Sequence, residues 1–199
     1  MHELISGRRS ARGYDPSSTI SLDDVTTIVD AGRWAPTWGR VQPVRFIAGL
    51  RGDPTFDALA GVLTRGNSGW APRSAALILV CTTDDPDDAK AHTYGAVDCG
   101  LAVAQMILQS EALGFNAHPM AGFDAEAARD IFGIPADKRP LVLLGVGAAV
   151  LGGVAPLLGV AAHAEVPVGH RELGLGHAPR RGLGAGLDPA PRVGGVGGA

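Results

Sequence analysis

Apolar positions along this chain switch between a helical rhythm and short unbroken runs, and the switches mark out its elements. Leu22, Val25, Ile28 and Val29 recur at helical spacing. Ser21 stands ahead of them as an N-cap, and Asp23 and Asp24 meet the dipole of the first turn, so the pattern predicts an amphipathic helix over 22–34. Pro36 ends it, and a loop runs to Pro43. Val44–Leu50 then predicts a strand, and Pro54–Thr64 a helix that turns Phe56, Leu59, Val62 and Leu63 inward. Ala75–Thr83 is a mostly apolar run closed by Asp84-Asp85-Pro86, the signature of a buried strand. Between Thr93 and Leu113 the apolar positions, among them Val97, Leu101, Ala104, Ile107 and Leu108, outnumber what one stripe holds. That predicts the longest helix, buried on most faces, with Gly114 closing it in the left-handed conformation. Phe115–Met120 predicts a short strand, Asp124 caps a helix that ends near Gly133, and Leu141–Val146 predicts a last strand. Few strands, varied connections and many helices give an α+β class, a central sheet wrapped by helices.

Beyond Leu151 no period survives. Residues 147–199 use nine residue types, contain none of the ten aromatic residues, and hold 14 of the 29 glycines. Such a composition works against a packed core. The organisation expected is therefore a folded domain over 1–151 and an irregular or disordered tail over 152–199. All nine residue types of the tail have codons rich in G and C, which makes a reading-frame change after the last strand one origin for it. A genuine low-complexity linker is the other.

Composition narrows the function classes. The 199 residues carry 17 basic and 20 acidic side chains, a net charge of −3, with no long basic stripe for nucleic acid. The purely apolar runs, such as Ala75–Cys81 and Leu141–Val146, fall far below the roughly 18 residues of a membrane span. Met1-His2-Glu3 does not begin a secretory leader. Cys81 and Cys99 form no CxxC pair and no metal-ligand spacing, so two buried thiols in a reducing cytoplasm are expected. Neither a metal cluster nor a Ser-His-Asp grouping is visible, and His92 and His118 read as structural.

Candidate chemistry sits in four short segments. Arg8-Arg9-Ser10-Ala11-Arg12 places three guanidinium forks and a hydroxyl within five residues, a set suited to phosphate oxygens. The proline-bounded loop Ala35–Pro43 offers Thr37, Trp38, Arg40 and Gln42 to a flat ligand. Gly66-Asn67-Ser68-Gly69-Trp70 presents an amide with both a donor and an acceptor. Pro119-Met120-Ala121-Gly122-Phe123-Asp124 sets backbone N–H groups between a strand and a helix start. Each alone has a bland alternative: a solvated basic turn, a connecting loop, an ordinary turn.

Taken together, in this order, RRSARGY, SLDDVTTIVDAGRWAPTWGRVQP, GNSGWAPRSAALILV, GAVDCGLAVAQMILQSEALGF and AGFD make residues 3–147 resemble the nitroreductase family of FMN-dependent oxidoreductases. The resemblance implies a mostly antiparallel sheet flanked by helices and a homodimer with FMN at the interface, each site built from both chains. It implies that Arg8, Arg9, Ser10 and Arg12 hold the phosphate and ribityl chain, and that Pro36, Thr37 and Trp38 lie against the flavin with Gln42 nearby. It further implies that Asn67 contacts the ring edge, that Ala121 and Gly122 offer backbone donors near N5, and that no acid–base residue is required. NAD(P)H would then supply hydride through the flavin to a small electron-poor acceptor, a nitroaromatic or a quinone. The family pattern APSxxNxQPW reads APTWGRVQPV here, so Arg40 replaces an Asn and Val44 a Trp. The tail offers Arg180-Arg181 without apolar anchors, which leaves open a flavin-binding protein impaired in catalysis.

Overall fold

A computed structural model describes residues 1–39, 41–85 and 87–150 of the chain. The expected tail over 152–199, Arg180 and Arg181 included, lies outside the described residues, as does Arg40. Within the described residues the elements run α1 (Glu3–Ser6), α2 (Leu22–Arg33), β1 (Arg45–Leu50), α3 (Pro54–Gly61), β2 (Ala76–Thr83), α4 (Ala89–Ala112), β3 (Asn116–Met120), α5 (Ala125–Phe132) and β4 (Lys138–Gly147). The four strands lie in the order β1-β2-β4-β3, and every pairing is antiparallel.

β2 shows why the fold forms. Its alternate residues serve two cores: Ala76, Ile78 and Val80 pack under α2 and α4, while Leu77, Leu79 and Cys81 pack under α3 and α5. A strand covered on both faces has no polar side, which is why it reads as one apolar run although the sheet is antiparallel. The result is three layers, helices on both faces of the sheet. Ile28 and Met106 close the first core and Leu59 and Leu143 the second, all four fully buried. Burying such side chains supplies about 1.5–3 kcal/mol each before the cost of ordering them.

Caps fix the element ends. Ser21 accepts from Asp24 N–H at 3.0 Å while Asp24 reaches back to the Ser21 N–H, a complete capping box. Gly114 follows α4 at φ 82°, where a side chain would be strained. α4 itself begins at Ala89, four residues before the expected start, because Asp88 accepts from the N–H groups of Lys90 and Ala91.

One expectation fails. α4 is not buried on most faces: Tyr94, Val97 and Leu101 are 40, 51 and 40% exposed. Their i, i+3, i+7 spacing sets them on one stripe, while Ala102, Met106 and Ile107 take the buried side. The excess of apolar residues on this helix thus serves two faces, of which the sheet and α2 cover one. No helix among the described residues is long and apolar enough to cross a membrane.

Candidate functional site

The N-terminal turn is held from far along the chain. Asn116, at the start of β3, accepts from the Ala11 N–H at 3.0 Å and donates through Nδ2 to the Arg9 carbonyl at 2.6 Å and to Glu111 Oε1 at 3.0 Å. Two residues on, His118 Nδ1 bonds the Ala11 carbonyl at 2.8 Å. Beyond the turn, the Asp15 N–H bonds the Ala148 carbonyl and the Val150 N–H the Gly13 carbonyl, and the buried Tyr14 hydroxyl donates to the Gly145 carbonyl at 2.9 Å. Residues 9–15 are therefore strapped across the C-terminal end of α4 and the edge of the sheet. Burial pushes the Tyr14 hydroxyl far above its usual value, so it stays a donor.

Within this turn the three arginines part company. Arg9 spends Nη1 on the Ser6, Gly7 and Arg8 carbonyls and so shapes the turn. Arg8 reaches only Ser10 Oγ, at 3.3 Å. Neither Arg8 nor Arg12 forms an ion pair among the described residues. Two unneutralised guanidinium groups beside a hydroxyl remain available to an anion.

The third and fourth segments meet here, and the third touches the first through Tyr14 and His118. Trp70 of the glycine-bounded loop lies with its ring 4.6 Å from that of His118 and 6.2 Å from that of Tyr14. Asn67 donates through Nδ2 to the Gly122 carbonyl at 2.9 Å, and the Thr64 N–H bonds the same carbonyl at 3.1 Å. A Cβ at position 122 would lie 2.6 Å from Asn67 Nδ2, so a side chain there would displace the amide from this carbonyl. With its amide donor committed, Asn67 keeps Oδ1 for an outside donor. The N–H groups of Ala121 and Gly122 have no partner among the described residues.

Electrostatics here favour a neutral imidazole and a positive field. Half-burial, followed by the Arg12 and Arg8 charges, holds the His118 pKa below its usual value against the hydrogen bond to Ala11. Glu111 is raised by burial, while Asn116, Arg8 and Arg9 oppose that shift.

The proline-bounded loop lies elsewhere. Buried Asp98 of α4 accepts the Trp38 N–H at 2.9 Å, and the Trp38 ring stacks on Tyr94. Thr37 Oγ1 donates to the Val41 carbonyl at 3.3 Å. Gln42 uses both ends of its amide on backbone, Nε2 to the Arg33 carbonyl and Oε1 from the Val44 N–H, and so props the loop. Pro36 is exposed, and Val44, where the family pattern has Trp, is in the core. Asp98 and Glu111 stand 13 positions apart on α4, about 20 Å at the helical rise per residue. Arg8, Arg9, Ser10 and Arg12 thus sit at the C-terminal end of α4, while Asn67, Ala121 and Gly122 lie past the other end of β3. Pro36, Thr37, Trp38 and Gln42 belong to the loop anchored at Asp98 in the N-terminal half of α4.

Sequence reasoning missed Asn116, Asp98 and Trp70, which position these segments. Asn116 and Asp98 are buried polar residues inside otherwise apolar elements, and that mismatch was the available signal. An apolar cavity of about 280 Å³ among Ile47, Cys81, Phe132 and Ile134 shares no residue with either group. No cluster of three or more His, Cys, Asp or Glu among the described residues could hold a metal.

The donor set fits FMN: unpaired guanidinium groups and a hydroxyl for a phosphate, a free amide oxygen and two free backbone N–H groups for a polar ring edge. Comparisons with known proteins point the same way. The nitroreductase family model matches residues 5–53 and 51–148. A 15.4 kDa protein of Mycolicibacterium smegmatis, uncharacterised and encoded in the ask 5' region, is 45% identical over 112 residues, covering 52% of this chain and 74% of that protein. YdgI of Bacillus subtilis, provisionally named an NAD(P)H nitroreductase, is 26% identical over 184 residues, 74% of this chain and 87% of its own. A crystal structure described as an oxidoreductase containing FMN superposes with a TM-score of 0.69 at 25% identity, over 75% of this chain and 77% of that one.

Proposed function

The chain belongs to the nitroreductase family, and from that premise we propose that it is an FMN-dependent NAD(P)H oxidoreductase reducing a small electron-poor acceptor, a nitroaromatic or a quinone. Bound FMN would supply the redox chemistry, taking hydride from the nicotinamide and passing it on. The chain's own residues bind, orient and shield. Arg8 and Arg12 pair with the phosphate, Ser10 donates beside them, and Arg9 keeps the turn in shape. Asn67 Oδ1 accepts from the ring edge, and the Ala121 and Gly122 N–H groups donate to it. Residues 1–151 carry this flavin-binding domain, in a reducing cytoplasm that suits the free, buried Cys81 and Cys99.

The observation that carries this reading is the chain of contacts that links the Arg8–Arg12 turn through His118 and Trp70 to the Asn67 loop and the 121–122 turn, with Arg8 and Arg12 in no ion pair among the described residues. Trp38 is anchored at Asp98, about 20 Å along α4 from Glu111, beside which the Arg8–Arg12 turn sits. A two-fold contact between copies would bring the 36–38 loop of one chain to the site of the other, as the family resemblance implies. The exposed stripe of Tyr94, Val97 and Leu101 supplies an apolar surface for that contact. A homodimer then holds two sites, each drawn from both chains.

The test is anaerobic titration of the purified protein with NADH and with NADPH. The flavin band near about 450 nm is expected to bleach with at least one of them and to return when a quinone is added. A flavin-loaded protein whose band neither nucleotide bleaches would contradict the proposal.

A further inference from the structure

His118 is built into the arginine turn by its own hydrogen bond. Its Nδ1 bonds the Ala11 carbonyl at 2.8 Å, and Ala11 stands between Ser10 and Arg12. A carbonyl only accepts, so Nδ1 carries the hydrogen and the neutral ring keeps its lone pair on Nε2. Nε2 bonds nothing among the described residues and is open to solvent. The charges around the ring come from the turn, as Arg8 and Arg12. At the end of α4, Glu111 is engaged by Asn116 Nδ2. From β4, Gly145 lies opposite His118, and its carbonyl holds the Tyr14 hydroxyl. The Trp70 loop adds only an indole, 4.6 Å away.

These surroundings by themselves keep the imidazole neutral. Half-burial opposes the charged form, and so do Arg12 and Arg8, which form no ion pair among the described residues. A phosphate dianion held by the same two guanidinium groups reverses that field, because a neighbouring opposite charge favours the protonated ring. The proton comes from solvent and goes to Nε2, the nitrogen with the lone pair. Nε2 then becomes a charged donor, and the indole beside the ring favours a cation.

We propose that His118 takes up a proton when a phosphate group enters the Arg8–Arg12 turn and serves there as the third cation of the anion site. This rests on the flavin reading above for the identity of the ligand, FMN. Proton uptake and FMN binding reinforce each other, so the affinity that His118 contributes is greatest at low pH. It is lost as pH rises through the value the ring takes beside the phosphate. The second ionisation of the phosphate, near about 6, runs the other way, and it is common to any variant of the ring.

The test is calorimetric titration of FMN into the apoprotein and into His118→Gln, at about pH 6.5 in two buffers of different ionisation enthalpy. Wild type is expected to take up about half a proton more per FMN than the variant. Its affinity relative to the variant should grow about tenfold between roughly pH 8 and pH 6. Riboflavin, which lacks the phosphate, should show neither difference. Ring nitrogen NMR shifts of wild-type His118 read the same event without a variant, and they should pass from the neutral to the doubly protonated pattern when FMN is added. A ring that stays neutral with FMN bound, or equal proton counts in the two proteins, would overturn the proposal. So would the same differences with riboflavin, since the phosphate would then not be their cause. A protein that binds no FMN would sink the flavin reading instead. The ring titration repeated with pyrophosphate then decides for the turn alone, and an unmoved His118 overturns the proposal.

Discussion

His118 Nδ1 donates to the Ala11 carbonyl at 2.8 Å while Trp70 covers its ring, so the imidazole is built into the turn as a neutral group. Burial and the Arg12 and Arg8 charges depress its pKa in the fold, and the unfolded chain binds that proton at about the ordinary histidine value of 6.5. The stability it contributes is fully present above that value and is lost as pH falls through the lower folded value. Urea unfolding between roughly pH 7 and pH 5 should therefore show wild-type stability falling more steeply than that of His118→Gln, which keeps a donor and loses the titration. Parallel curves would remove His118 from this account. Arg8 and Arg12 are expected to act on the ligand more than on the fold, since neither forms an ion pair among the described residues. Replacing either with Ala should weaken FMN binding by about 1–3 kcal/mol, read by fluorescence titration of the apoprotein. Unchanged affinity in both variants would count against the phosphate assignment.

At the scale of elements, legibility followed how local each cause was. The β2 run and the Ser21 N-cap are local signals, and both read correctly from sequence. The first turn of α4 was hidden because Ala89–Thr93 carries no apolar period and its only mark is the Asp88 cap. β4 was expected over Leu141–Val146 and extends to Lys138 at one end and Gly147 at the other, since backbone pairing with β2 carries polar residues past the core. The four residues of α1 bury nothing and left no pattern. In the candidate site, the Arg8–Arg12 turn, the Asn67 loop and the 121–122 turn were visible because their composition is unusual. Their clasp was not. Asn116 meets Ala11 across 105 positions of sequence, and such a contact leaves no trace in spacing. Gln42 was read as a ligand contact, whereas both ends of its amide are on backbone.

The described residues form a three-layer body of sheet and helices, with the Arg8–Arg12 turn and the Trp38 loop at different points along its longest helix. The C-terminal end of α4 holds the Arg8–Arg12 turn, and its N-terminal half carries the Asp98-anchored loop with its aromatic pair. Tyr94, Val97 and Leu101 form an open apolar stripe beside that loop. A two-fold contact along that face would cover the stripe and complete both sites at once, so assembly and cofactor binding become one event. Size-exclusion chromatography of the FMN-reconstituted protein, followed at 280 nm and at the flavin band near about 450 nm, tests this link most directly. The account predicts flavin co-eluting at twice the 20.3 kDa chain mass, with about one flavin per chain. Full flavin loading on a monomer, or a dimer that takes up no FMN, would contradict it.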